Sequence, residues 1–168
     1  VLIYYNNVSA GSPSNNTTYA YDSSNENWHG PRTAIKQLPT TSQWNNVNLK
    51  SSLRAILNEN DGNTTIGGTL PSNFSYAGYA ARFLTIDEVR VAINNNNIPD
   101  WILGELDKYI YLLENTKFSS DNNLALSWWL ENARSDSSED AYYVHSHTRS
   151  VSNKPVSNSS DRSVRPAI

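Results

Sequence analysis

The chain has 168 residues, 38% of them hydrophobic and 17% charged, with a formal net charge of −3; one domain with a sizeable core is the simplest organisation. No basic stripe offers a footprint for nucleic acid, zero Cys excludes disulfides, thiolate nucleophiles and Cys-ligated metals, and no run nears the ~18 apolar residues that would span a bilayer. Mean hydropathy is low, at −0.60, yet five Trp and ten Tyr exclude a disordered chain, because disordered segments lack aromatics.

Val1-Leu-Ile-Tyr-Tyr5 is an apolar, β-prone run stopped by Asn6-Asn7, and it is predicted to be a strand. Residues 9–27 read as a Ser/Asn/Gly/Pro-rich loop, within which Thr17-Thr-Tyr-Ala-Tyr21 alternates enough for a second short strand. Gly30-Pro31 opens a short helix over 32–38; Pro31 suits the first helical position and Pro39 ends the run. Val47, Leu49, Leu53, Ile56 and Leu57 recur near helical spacing, which predicts a helix over 45–57, stopped by Asn60-Asp-Gly62.

Gly67-Gly68 and Pro71 mark a loop before residues 76–84. Thr85-Ile-Asp-Glu88 fits a capping box, in which a hydroxyl and a carboxylate satisfy free amides at a helix start. That helix is predicted to run to Ile93 and stop at the Asn run 94–97, with a further helical turn near 99–106 that contains Gly104. Residues 124–132 and 142–151 read as strands, and 164–168 as a terminal strand whose Pro166 favours a sheet edge. Two main helices early and an antiparallel sheet late predict an α+β domain over residues 1–168.

The polar tail carries the functional signal. On a strand over 142–151, Tyr143, His145, His147 and Arg149 share one face. Tyr gives contact area at low entropy cost, and the surrounding Ser and Asn give adaptable hydrogen bonding. The row therefore reads as ligand-facing, against the plainer reading of a solvated sheet face. Trp128-Trp129 is expected to send one indole into the core and leave the other as a stacking surface. His145-x-His147 could hold a metal with Asp136, Glu139, Asp140 or His29, but two His without a spaced third ligand are usually surface residues. No nucleophile-elbow, zincin, P-loop or dinucleotide motif occurs, so an enzyme is the weaker reading. Sequons at Asn7, Asn16, Asn63, Asn73 and Asn158 carry little weight in so Asn- and Ser-rich a chain.

Gly30-Pro-Arg-Thr-Ala-Ile-Lys-Gln-Leu38 with Thr41 and Trp44, Tyr76-Ala-Gly-Tyr-Ala-Ala-Arg-Phe-Leu-Thr85 with Glu88, Tyr111-Leu-Leu-Glu-Asn-Thr116, Trp129-Leu-Glu-Asn132 and Val164-Arg-Pro-Ala-Ile168 together resemble a family of surface proteins. Its members occur in gut Firmicutes and are often joined to a prepilin-like N-terminal helix. The resemblance covers most of the chain from residue 28 onward. It implies a C-type-lectin-like fold, like that of formylglycine-generating-type proteins and of the variable proteins of diversity-generating retroelements. In the variable proteins, adenine-directed mutagenesis rewrites Asn-type codons on a fixed scaffold.

The implied variable region is 127–161. The implied ligand-binding residues are Trp128, Arg134, Asp136, Ser138, Tyr142, Tyr143, His145, His147, Arg149, Asn153, Lys154, Asn158 and Asp161. Two departures matter: the absence of Cys removes formylglycine-generating chemistry, and the calcium–sugar motif of vertebrate C-type lectins is missing. The expectation is a cell-surface or extracellular binding module without cofactor or metal. Its partner would be a protein or glycan ligand on another cell or phage, and it would meet a membrane only through an upstream anchor. A pilin-like subunit packed against filament neighbours is the alternative. Because the chain starts at Val1 and lacks Met, it is expected to be a mature product or a fragment of a longer protein.

Overall fold

The computed structural model describes residues 3–4, 7–13, 17–47, 49, 75–86, 88–89, 127–134, 136–145 and 150–168. Its regular elements there are strands β1 (Val8–Ser9), β2 (Ser12–Pro13), β3 (Ser127–Ala133), β4 (Asp140–His145), β5 (Ser150–Pro155) and β6 (Arg162–Ser163), with 3-10 turns at Asn27–His29 and Ala34–Gln37. β1 and β2 form a tight hairpin, in which Ala10 and Gly11 take φ of 46° and 77°. The main sheet has the order β5-β4-β3-β6; β3 runs antiparallel to β4 and parallel to β6.

This corrects the two-helix α+β expectation and, with it, the C-type-lectin-like architecture. The described part is mostly strand, arranged around a mixed sheet. Residues 32–38 form only a four-residue 3-10 turn, because Pro39 leaves no room for a longer run. Of the helix expected over 45–57, residues 45–47 and 49 are turn or irregular, and the others lie outside the described residues. Ile86, Glu88 and Val89 are helical. There the capping box forms as expected: Glu88 N donates to Thr85 Oγ1 (3.1 Å) and Thr85 N to Glu88 Oε2 (3.0 Å). The rest of that helix and the turn near 99–106 lie outside the described residues.

The strand expected over 142–151 ends in β4 at His145, and the chain resumes in β5, which pairs back on β4 from Asp140↔Pro155 to His145↔Ser150. The expected strand at 164–168 is reduced to bridges, in which Ala167 pairs with both Ile3 and Arg82; of the strand expected over 1–5, residues 1, 2 and 5 lie outside the described residues. No strand forms at 17–21, although Tyr19 N donates to the carbonyl of Arg162 at 2.7 Å.

Both faces of the sheet are covered. Trp129, Ala133, Ala141 and Tyr143 join Tyr21, Leu38, Tyr76, Phe83 and Val164 in one apolar cluster. Trp128, Leu130 and Val144 join Leu84, Ile86, Val89 and Ala167 in the other. Adjacent residues on a strand face opposite ways, so the Trp pair sends one indole into each cluster. At 1% and 0% exposure, neither indole reaches solvent. Each buries on the order of 200 Å² of surface, which makes this dipeptide the main hydrophobic anchor of the sheet. Trp128 as an exposed stacking surface is therefore corrected: a strand covered on both sides has no solvent face.

Candidate functional site

β3 and β4 are not in simple register. Trp129 pairs with Tyr143 and Ala133 with Ala141, so Leu130, Glu131 and Asn132 together stand opposite Tyr142. A bulge of this kind bends the strand and re-aims its side chains. Here it turns the Trp-Leu-Glu-Asn segment toward residues 84–86: Glu131 N donates to Leu84 O (2.8 Å), and Asn132 Oδ1 accepts from Ile86 N (2.8 Å). The Glu131 carboxylate accepts from Tyr76 OH at 2.7 Å, and its carbonyl from Tyr21 OH at 2.6 Å. Burial, reinforced by the Glu131 charge, pushes both phenols well above their ordinary range, so they act as fixed donors. Three motifs far apart in sequence thus meet in one interlocked frame, since Arg82 and Ala167 also exchange backbone bonds of 3.0 and 2.8 Å.

The loop between β3 and β4 leaves this frame and carries the accessible polar groups. Its two ends are closed by Arg134 N donating to Asp140 O at 3.0 Å. Asn27, fully buried, holds it from below. Its Nδ2 lies 2.9 Å from Arg134 O, 2.5 Å from Ser137 O and 2.8 Å from Asp140 O, while its backbone N donates to Ser138 O at 2.8 Å. An amide nitrogen has only two hydrogens, so it serves three carbonyls by sharing them. Such closure fixes the loop before any partner arrives, which lowers the ordering cost of binding.

Arg134 is the centre of the exposed group. Its Nε contacts Asp136 Oδ1, its Nη2 donates to Asp136 Oδ2 at 2.8 Å, and its Nη1 lies 3.2 Å from Asn153 Oδ1 and 3.6 Å from Asp140 Oδ2. The hydrogen bond that the guanidinium donates to Asp136 raises the Arg134 pKa, and Arg134 in turn lowers that of the Asp136 carboxyl. Asp136 is 66% exposed and Arg134 33%. Tyr142, half-buried, pairs across the strands with Asn153 beside them.

The implied ligand residues therefore divide. Arg134, Asp136, Tyr142 and Asn153 come together; Ser138 is exposed on the same loop. Lys154 is exposed but faces the other side of β5, opposite Ala141. Asn158 is half-buried and Asp161 exposed, the latter paired with Arg162. His145 is half-buried, its ring 5.8 Å from that of Tyr143. His147 and Arg149 lie outside the described residues.

Tyr143 is only 2% exposed, which corrects its own place in the expected ligand-facing row. Its ring is wedged against Trp129 (6.0 Å between centroids) and under Arg162, whose Cζ lies 4.0 Å from the Tyr143 centroid. Among the described residues no three His, Asp or Glu converge as a metal cluster. Sequence reasoning missed Asn27, which carries no signal in a chain with so many Asn. It also missed the buried Arg162 and Arg165, because composition alone places Arg outside.

Comparison with protein-family models, curated proteins and solved structures finds no match.

Proposed function

We propose that this protein is a non-enzymatic binding domain whose recognition surface is centred on Arg134, Asp136, Tyr142 and Asn153, with Ser138 at its rim. The observation that carries this reading is the division within 127–161. Trp128, Trp129, Tyr143 and Val144 are buried in two apolar clusters, while the Arg134 group stays accessible on a loop pinned by Asn27. Aromatic and Arg side chains on a rigid support supply most of the energy in protein interfaces, and small polar neighbours adjust specificity. In keeping with the variable proteins that the sequence resembles, the accessible positions would be interchangeable and the buried ones fixed. The partner would be a protein or glycan on another cell or phage, met at a cell surface.

The test is to bind labelled protein to a panel of intact bacterial cells and phage particles. The joint variant Arg134→Ala, Tyr142→Ala, Asn153→Ala should lose about tenfold or more of the wild-type signal and keep its thermal midpoint. Unchanged binding would remove this surface from the account. Sequencing the gene's surroundings tests the interchange itself: a near-identical repeat beside a reverse-transcriptase gene supports it, and its absence counts against it.

A further inference from the structure

Neither indole of the Trp128-Trp129 pair offers the stacking surface expected of one of them, but Trp44 reaches solvent in a fixed setting. It is half-buried, resting on the first apolar cluster. Its ring meets Tyr4 edge-on at 4.9 Å and 62°, and its Nε1 donates to Gly11 O at 3.1 Å. With its polar atom bonded and its ring packed against Tyr4, the half-buried indole is held in place.

The stretch of chain that carries Trp44 is uncharged. From Gln37 to Leu49 the chain contains no Asp, Glu, Lys or Arg. Thr41, Ser42, Gln43, Asn45 and Asn46 are all exposed around the indole's own turn. That turn is itself fixed: Thr40 O accepts from Gln43 N and Trp44 N at 3.1 and 3.0 Å, and Thr40 pairs with the half-buried Tyr79. Thr41 N donates to Gly78 O at 3.0 Å. A Cβ added at Gly78 would meet nothing within 4 Å, so the flank is open.

We infer that Trp44 and its rim form a binding site for a neutral saccharide, separate from the Arg134 surface. A pyranose has an apolar C–H face that stacks on an aromatic ring and equatorial hydroxyls that both donate and accept. A rigid indole ringed by hydroxyls and carboxamides offers the complement of both. With no charge in the stretch 37–49, an acidic glycan or a charged peptide finds no electrostatic partner in the indole's own turn. A protein partner needs a larger desolvated centre than one half-exposed indole provides.

The experiment is a glycan array carrying neutral, sialylated and sulfated glycans, followed by affinity electrophoresis in gels containing the polysaccharide equivalent of any hit. The wild type should bind at least one neutral glycan, with retention unchanged from roughly 0.05 to 0.5 M NaCl because no charge is involved. Trp44→Ala should weaken it about tenfold or more, and Trp44→Phe, which keeps a ring against Tyr4, by less. Thr41→Arg changes only an exposed side chain, so it should reduce retention with no loss of thermal stability. Arg134→Ala should leave retention unchanged, which separates this site from the surface proposed above. Binding of acidic glycans alone, salt-sensitive retention, wild-type behaviour of the Trp44 and Thr41 variants, or no neutral glycan retained would each overturn the inference.

Discussion

Arg162 covers the ring of Tyr143, its Cζ 4.0 Å from the ring centroid and 5.8 Å from that of Trp129. On the opposite face Arg165 covers Trp128 at 3.9 Å. The residues at 162–165 thus clamp both sides of β3, each with a buried guanidinium over an aromatic ring. A desolvated cation–π contact contributes about 2 kcal/mol, more than the same pair would at a surface.

Removing the clamp should be costly. Arg162→Ala is expected to destabilise the fold by about 3 kcal/mol, from the lost cation–π contact and the space left between two rings. Arg162→Lys should cost less but remain measurable, since an ammonium keeps the charge and loses the plane. Urea unfolding followed by Trp fluorescence reads both. Wild-type midpoints for both variants would show that the stacking contributes nothing.

Asn27 should matter to the loop more than to the core. Asn27→Ala removes the donor to Arg134 O, Ser137 O and Asp140 O and should cost about 2 kcal/mol, because part-buried carbonyls lose a hydrogen bond, while Asp140 O keeps that from Arg134 N. Hydrogen exchange should accelerate at residues 134–140 and stay slow in β3 itself. Uniform acceleration across the sheet would mean that the residue supports the whole fold instead.

Acid should act through Arg82 and Glu88. Burial alone would raise the Glu88 carboxyl, but the Arg82 hydrogen bond and the Thr85 amide reverse this, leaving its pKa below the ordinary value of 4.5. A folded-state pKa below the unfolded one means stability that is fully present above ~4.5 and lost as pH falls through the folded value. Stability should therefore drop below about pH 4.5 in the wild type, and less steeply in Glu88→Gln. The measurement is the urea midpoint between pH 3 and 7; identical acid slopes in the two proteins would refute this role for the pair.

Much of the frame was legible in the sequence. The capping box at Thr85–Glu88 appeared where the pattern put it, and the strands expected over 124–132 and 142–151 are met at 127–132, 142–145 and 150–151, because caps and β-rich runs are local signals. The fold class was misread as a two-helix α+β domain, where the structure has strands around a mixed sheet. Val47, Leu49, Leu53, Ile56 and Leu57 together fit a helical template, yet residues 45–47 and 49 are turn or irregular, and the run at 32–38 is one tight turn over Ala34–Gln37. Strand alternation was read correctly at 142–145, but which face was covered could not be. β4 lies between β3 and β5 with apolar clusters on both sides, so Tyr143 is as buried as Val144. The Arg134 group was partly visible as residue types; the loop closure by Asn27 depends on contacts more than a hundred residues apart.

The central claim is that exposed and half-buried positions on and beside the β3–β4 loop can change while the clamped core cannot. The direct measurement is thermal and urea unfolding of single alanine variants at Arg134, Asp136, Tyr142 and Asn153, alongside Trp128, Trp129, Tyr143 and Arg162. The account predicts shifts within about 1 kcal/mol for the first four and losses of roughly 3–5 kcal/mol for the buried aromatics. Equal losses in the two groups, or near-neutral changes at Tyr143 and Trp129, would contradict it.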